Sequence, residues 1–149
     1  MLKRIAELDS GVVLITGNGK KLARIYLNSW ARRGMRILAE YLPFQVDGEV
    51  YIGSPMEGEN FDAYLVVNPL SRPKEDKEAL YGWLSEHRGR LVLLYEGKYI
   101  KDSITRYRIK DSIDYLIAYK RETAGFEQVD VMRLENGRVV ESKTYIKRY

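Results

Sequence analysis

The sequence contains no cysteine and a single histidine, His87, among its 149 residues. The absence of cysteine excludes disulfides, thiolate catalysis and cysteine-ligated metals. One histidine cannot build a metal site made of several histidines, and we predict no metal site. His87 falls on the apolar face of a predicted helix, where a packing or capping role is commoner than a catalytic one.

The sequence also has no apolar run close to the roughly 18 residues that a membrane span needs. At the start, residues 1–8 have no apolar core after their basic side chains, which is not typical of a signal peptide. We therefore predict a cytoplasmic protein that has no membrane partner. Abundant Lys, Arg, Glu and Tyr with little glutamine fit a thermophile.

Hydrophobic residues make up 45% of the chain and charged residues 31%. This balance indicates a globular core and argues against a disordered chain. The length suits one domain, and no linker or repeat divides it, so residues 1–149 are predicted to form a single domain. The net charge of +4 permits nucleic acid or another anionic partner without requiring one.

Apolar runs alternate with helical periodicity over the first two thirds of the chain. Continuous runs of β-forming residues predict strands buried on both faces, as in a parallel sheet. The predicted strands are 12–15, 36–42, 50–53, 63–68 and 90–95. Helical spacing predicts helices at 2–8, 20–33 and 71–88. The predicted apolar face of the helix 20–33 consists of Leu22, Ile25, Tyr26 and Trp30.

The last third of the chain has a different pattern. After a predicted short helix near 101–108, extended stretches follow at 115–119 and 126–134. Asn136-Gly137 is the strongest short signal for a hairpin, so 138–145 is predicted to return antiparallel. The predicted fold class is α/β, with a mostly parallel central sheet flanked by helices and an antiparallel C-terminal edge.

The segment between the first buried strand and the following helix has the layout of a phosphate cradle. Gly17, Asn18 and Gly19 form a glycine-rich turn, and Lys20 and Lys21 open the helix. Backbone N–H groups at a helix N-terminus bind anions, glycine lets the backbone approach them, and lysine adds positive charge. An ordinary strand-to-helix turn, with glycine chosen for positive φ, explains the same residues.

This turn does not match the full phosphate-loop pattern G-x-x-x-x-G-K-[S/T]. If Gly19-Lys20 is the G-K pair, the first glycine of the pattern falls on Leu14 and its final hydroxyl residue on Lys21. The loop is therefore shorter than the pattern, and the hydroxyl that holds Mg²⁺ is missing.

The order of the predicted elements resembles the KaiC/RadA group of RecA-like P-loop ATPases, as a short member of archaeal type. The resemblance covers most of the chain and rests on pattern and order, not on an intact motif. It places the family's phosphate loop and helix within 12–34, and its Walker B strand at 64–68, followed by Pro69-Leu70. It implies a RecA/KaiC-like fold.

The departures from that family fall on the residues that carry its chemistry. Asn68 stands where the family has a metal-supporting aspartate, and Lys21 where it has Ser or Thr. Glu40, late in the second predicted strand, is a poor match for the glutamate that activates water. Phosphoryl transfer depends on positioning and Mg²⁺, and about 1.4 kcal/mol is already tenfold in rate. We expect no efficient ATP hydrolysis, and no cofactor beyond a weakly bound nucleotide or phosphate.

Tyrosines and basic residues interleave between residues 95 and 121. Tyr99, Arg106, Arg108 and Lys110 are candidate contacts for single-stranded nucleic acid, which binds by base stacking and phosphate contacts. In the alternative interpretation, the tyrosines line the sheet and the basic residues face water.

Three functions are compatible with the sequence. The favoured one is a non-hydrolysing RecA/KaiC-like binding or regulatory module that acts through a protein partner or as a homo-oligomer. The second is an NTPase with an unusual shortened phosphate loop. The third is a single-stranded nucleic-acid-binding protein, whose binding should weaken steeply with salt.

Overall fold

The computed structural model describes residues 1–56, 60–86, 89–98, 108–121 and 125–148. Within these ranges the chain forms three α-helices, one short 3-10 helix and eight strands. In chain order they are α1 (Leu2–Ala6), β1 (Gly11–Thr16), α2 (Lys20–Arg32), β2 (Ile37–Ala39), β3 (Val50–Ile52), β4 (Ala63–Val67), α3 (Lys74–Glu86), β5 (Leu91–Glu96), the 3-10 helix (Arg108–Asp111), β6 (Tyr115–Arg121), β7 (Phe126–Glu135) and β8 (Arg138–Arg148).

All eight strands belong to one sheet, in the order β3-β2-β4-β5-β1-β6-β7-β8. The six strands from β3 to β6 in that order run parallel. The last two, β7 and β8, are antiparallel to their neighbours. The predicted mixed sheet with an antiparallel C-terminal edge is confirmed.

Helices cover the central strands on both faces. Along β1, Val13 and Ile15 pack with the buried residues of α1 and α2, whereas Val12 and Leu14 pack with those of α3. Successive side chains of a strand point to opposite faces, so both apolar sets of β1 are buried at once. The continuous apolar runs in the sequence therefore mark strands enclosed between two helical layers.

The buried face of α2 is rotated from the predicted one. Ile25, predicted to lie on the apolar face, is 49% exposed. Asn28, which is not one of the residues of the predicted face, is buried, and its Oδ1 accepts the backbone N–H of Asp47 at 2.8 Å. The buried hydrophobic residues of α2 are Ala23, Tyr26, Leu27 and Trp30.

The second strand is shorter than predicted, since β2 ends at Ala39 and not at residue 42. Ala39 pairs with Leu65, so continued pairing would bring Tyr41 opposite Val67. The backbone N–H of Val67 instead donates to Oε1 of Glu40 at 3.3 Å. A side chain thus takes the hydrogen bond that would have extended the ladder.

The hairpin prediction is confirmed. Asn136 and Gly137 join β7 to β8 and have positive φ values of 51° and 77°. Positive φ at both central residues is what a type I′ turn requires. The predicted helix near 101–108 lies outside the described residues, apart from Arg108 at the start of the 3-10 helix.

Candidate functional site

The loops at the carboxyl ends of the central parallel strands share one edge of the sheet. The turn at 17–19 follows β1, Glu40 follows β2, Asn68 follows β4, and Glu96 ends β5. Ligand sites of open α/β sheets lie at this edge. It holds the predicted phosphate-binding residues and the predicted Walker B position.

Two backbone N–H groups of the turn between β1 and α2 donate hydrogen bonds to carbonyl groups of the protein itself. The N–H of Gly17 donates to the carbonyl of Glu96 at 2.9 Å, and the N–H of Gly19 donates to the carbonyl of Gly17 at 2.9 Å. Gly17 has φ 86°, a left-handed conformation that favours glycine. Asn18 is exposed on the turn. Two of the amides that a phosphate cradle would use are therefore already bonded.

Tyr119, near the end of β6, packs closely against both glycines. A Cβ added at Gly17 would lie 2.4 Å from the carbonyl oxygen of Tyr119. A Cβ added at Gly19 would lie 2.7 Å from Cε2 of the tyrosine ring and 2.4 Å from Cγ2 of Ile15. Gly19 has φ −103°, so the close approach, and not its backbone conformation, requires glycine there.

Burial, followed by the charge of Glu127, raises the pKa of Tyr119 to about 12. The hydroxyl therefore stays protonated at neutral pH, and the ring brings no negative charge to the turn. A neutral ring against the turn is a packing contact.

Lys20 and Lys21 are the first two residues of α2, and both are exposed. The helix has no side-chain hydrogen bond at its N-cap, Gly19, and no acidic residue in its first turn. Both lysines add to the positive end of the helix dipole. The predicted anion-binding residues are thus brought together, with the glycines buried and the lysines facing solvent.

Asn68 lies just past the end of β4, which is separated from β1 by β5. It has φ 54°, its N–H donates to the carbonyl of Tyr95 at 2.7 Å, and its Nδ2 lies 3.5 Å from the hydroxyl of Tyr41. An amide at this position supplies no negative charge to a metal ion. Within the described ranges, no group of three or more His, Asp or Glu residues could hold a metal.

Glu40 is the first residue beyond β2, because the strand ends earlier than predicted. Its carboxylate forms an ion pair with Arg72, and both side chains are largely buried. Nη2 of Arg72 also donates to the carbonyl of Val67 at 3.1 Å. The carboxylate thus has a guanidinium partner in addition to the N–H of Val67, which leaves it poorly suited to activate water.

Glu96 is a buried carboxylate that sequence reasoning missed. It is 1% exposed, and it accepts the N–H of Leu70 at 3.0 Å and the hydroxyl of Ser71 at 2.8 Å. These bonds tie the loop after β4 to the end of β5. The one available signal was an acidic residue directly after the apolar run 91–95.

The candidate nucleic-acid residues are only partly within the described ranges. Tyr99 and Arg106 lie outside them, as does His87. Arg108 belongs to the 3-10 helix, and Lys110 is half-buried. Of the other tyrosines in the segment, Tyr95 and Tyr115 are buried in the sheet. Of the four candidates, only Arg108 and Lys110 lie within the described residues, so the nucleic-acid surface stays a prediction.

Comparison with known proteins places the chain by its fold. No protein-family model matches it, and no curated protein matches its sequence. The N-terminal domain of zonular occludens toxin from Neisseria meningitidis is similar, with a TM-score of 0.55, 9% identity, and 93% of this chain and 94% of that chain covered. A KaiC-like protein from the hyperthermophilic archaeon Pyrococcus horikoshii OT3 is similar, with a TM-score of 0.54, 12% identity, and 95% and 89% covered.

At these identities the likeness concerns the fold alone. The eight-stranded mixed sheet with its flanking helices is a RecA/KaiC-like α/β fold, as the order of elements predicts. Among the described helices, none has the length and apolar character needed to cross a bilayer.

Proposed function

We propose that this chain is a non-hydrolysing RecA/KaiC-like module that works by binding a protein partner or further copies of itself. The observation that carries the proposal is the packing of Tyr119 against the turn at Gly17 and Gly19. A phosphate loop must leave its amides and the space above them open to the ligand. Here the amides of both glycines are bonded within the protein, and the tyrosine lies against the turn.

The chemistry at the same edge supports the proposal. Asn68 brings no charge to a metal, Glu40 is paired with Arg72, and Lys21 provides no hydroxyl. Catalysis of phosphoryl transfer consists almost entirely of positioning and of electrostatic stabilisation by Mg²⁺ and basic groups. We expect a site without metal-binding side chains and without a free carboxylate to lack both the Mg²⁺ and a residue that could position the attacking water.

Nucleotide turnover tests this proposal directly. We expect no Mg²⁺-dependent ATP hydrolysis by the wild type, and no change in Lys20→Ala. Lys74→Ala is the matched control, because Lys74 is also exposed and also opens a helix, α3. Turnover that needs Mg²⁺ and is lost in Lys20→Ala but kept in Lys74→Ala would overturn the proposal in favour of an NTPase with a shortened loop.

A weak anion site at residues 17–21 is a second candidate, and the uncapped start of α2 favours it. Its exposed lysines, Lys20 and Lys21, have no acidic neighbour in the first turn. With two glycine amides already bonded, we expect inorganic phosphate or ADP to bind at about millimolar affinity, near −4 kcal/mol. NMR titration should show shifts at the turn that disappear in the double variant Lys20→Ala/Lys21→Ala. Unchanged shifts in that variant would exclude this site.

A further inference from the structure

The last strand, β8, is an open edge of the sheet. It spans eleven residues, and no strand in the described part of the chain pairs with its outer side. Val139 and Val140 are 53% and 45% exposed near its start. An exposed edge strand presents unpaired N–H and C=O groups that can pair with another strand.

The opposite edge of the same sheet, β3, is also open. It pairs only with β2 among the described strands, and two of its three residues, Tyr51 and Ile52, are 40% and 61% exposed. Each copy of the protein therefore carries two different open edges, one at each end of its sheet, and both expose some apolar side chains.

The two edges match in strand direction and in register, that is, in position along the strand axis. β3 runs parallel to β1, and β8 returns to the same direction after two antiparallel steps. The ladder connects the two edges through the successive pairs Ile52–Ala39, Ala39–Leu65, Leu65–Leu93, Leu93–Val13, Val13–Tyr115, Tyr115–Arg133 and Arg133–Glu141. Ile52 is thus level with Glu141, the residue after Val140. Copies placed side by side would bring Tyr51 and Ile52 against Val139, Val140 and Glu141.

The charges of the two edges are complementary. Asp47 and Glu49, directly before β3, are exposed acidic residues, whereas Glu40 is paired with Arg72 and the carboxylate of Asp62 accepts the backbone N–H of Arg36. Residues 138–149 contain four basic residues, Arg138, Lys143, Lys147 and Arg148, and one acidic residue, Glu141. Glu49 and Arg138 are both exposed and lie at neighbouring levels of the sheet.

Contacts within the protein already involve some of the charged residues at both edges. Near β3, the guanidinium of Arg36 lies over the rings of Tyr51 and Phe61, and Arg32 is 4.0 Å from Asp47. On β8, the carboxylate of Glu141 is bound by Arg4 and approached by Arg133. Pairing of β8 with a second β8 would bring basic residues together, which disfavours a symmetric contact.

We infer that the β8 edge of one copy pairs in parallel with the β3 edge of the next, so that the chain associates head to tail through a continuous sheet. The inference rests on the proposed function, because it makes a second copy the partner of the binding module. A contact between two different surfaces repeats from copy to copy and gives open or closed assemblies larger than a dimer.

Sedimentation velocity from micromolar to submillimolar protein, at low and high salt, tests the inference. We expect the mass of the wild type to rise beyond that of a dimer with concentration, and less so at high salt. Ile52→Lys and Val140→Lys each place a charge on one edge and should weaken self-association by about tenfold or more. Ile25→Lys is the matched control, since Ile25 is equally exposed but lies on α2, and it should assemble as the wild type does.

Mixing the two edge variants distinguishes a head-to-tail contact from a symmetric one. Ile52→Lys keeps a working β8 edge and Val140→Lys keeps a working β3 edge, so an equimolar mixture should form one-to-one dimers that neither variant forms alone. Circular dichroism checks that both variants stay folded. A wild type that is monomeric throughout, an Ile52→Lys variant that assembles like the wild type, or a mixture without dimers would each overturn the inference.

Failure of this inference is separable from failure of the proposed function. A monomeric protein that does not hydrolyse ATP contradicts only the head-to-tail contact. ATP hydrolysis that depends on Lys20 contradicts the proposed function, whatever the size of the protein in solution.

Discussion

The central parallel strands and the C-terminal antiparallel strands bury their side chains in different ways. Every residue of β4 and β5, and all but the first of β1, is buried. In β7 buried and half-buried residues alternate over most of its length, and β8 is mostly exposed. Parallel strands joined through helices are covered on both faces, whereas antiparallel strands can leave one face to water. We therefore expect the parallel strands to contribute most of the free energy of unfolding, whereas the antiparallel strands leave more of their side chains exposed.

The largest effect expected from this difference is the loss of stability when a buried side chain of a central strand is truncated. Leu93 of β5 is fully buried, so Leu93→Ala should lower the free energy of unfolding by about 2–5 kcal/mol. Val140→Ala, on the outermost strand, should change it by no more than about 0.5 kcal/mol. Urea denaturation of both variants measures the two values. Equal losses would mean that the outer strands contribute as much as the centre.

A smaller effect, once the cost of the left-handed conformation is subtracted, is expected where the two parts meet, at the contact between Gly17 and Tyr119. Gly17→Ala places a Cβ in a left-handed conformation and 2.4 Å from a backbone oxygen. Gly34→Ala is the control, because Gly34 also has positive φ but nothing within 4 Å of the added atom. The control should cost about 1–2 kcal/mol for the conformation alone, and Gly17→Ala about 1–3 kcal/mol more for the overlap.

The same denaturation experiment detects the overlap as the difference between the two glycine variants. If Gly17→Ala and Gly34→Ala lose equal stability, the turn has room to move away from β6. The packing of Tyr119 would then be too loose to exclude a ligand from the turn.

Acid should act on the antiparallel part through Asp130. Burial by itself raises the pKa of Asp130, but hydrogen bonds from Lys120, Gln128 and Thr144 outweigh it and hold the pKa below its ordinary value. A lowered pKa stabilises the fold above the unfolded-state pKa of about 3.9. That contribution is lost as the pH falls through the folded-state pKa.

Urea midpoints measured between neutral and acidic pH test this contribution with Asp130→Asn, which keeps the size of the side chain. The variant should be less stable than the wild type at neutral pH, and the difference should shrink in acid. A difference that is constant with pH would show that the ionised form of Asp130 does not stabilise the fold.

The smallest effect is expected from the ion pair that ties β8 to α1. Nη2 of Arg4 lies 3.1 Å from Oε1 of Glu141, and the pair is exposed. The hydrogen bond from Arg4 lowers the pKa of Glu141, but solvent and salt screen such a contact. Glu141→Gln should shift the urea midpoint slightly at low salt, and the shift should vanish at high salt. A shift of the urea midpoint that persists at high salt would mean that the ion pair attaches β8 to α1 more strongly than its exposure to solvent suggests.

Features that depend on neighbouring residues could be predicted from the sequence. The strand order along the chain, the buried runs 12–15 and 63–67, and the hairpin at Asn136-Gly137 all follow from local composition and periodicity, whereas Asn68, predicted to end the second of these runs, is exposed beyond the strand. The rotated face of α2 could not be predicted, because Ile25 and Leu27 are equally apolar and only tertiary packing decides between them. The early end of β2 depends on the Glu40 side chain and its hydrogen bond to Val67 across the sheet.

The candidate site was predictable as a set of residues but not as an arrangement. Glycines at 17 and 19 are compatible with an open cradle and with a turn packed closely against a neighbouring strand. The residue that distinguishes them, Tyr119, lies about a hundred positions further along the chain. The pairing of Glu40 with Arg72 is likewise formed between two loops that no local pattern connects.

The place of β1 in the sheet has a consequence for how the chain is made. β1 ends at Thr16, yet both of its neighbours, β5 and β6, begin at Leu91 or later. Ribosomes add about 5–20 residues per second, so several seconds pass between the synthesis of this apolar strand and the synthesis of either neighbour. Because such distant pairings slow folding, the nascent chain exposes its most apolar segment for that interval, and a chaperone that binds extended apolar segments would have its best target at residues 12–15.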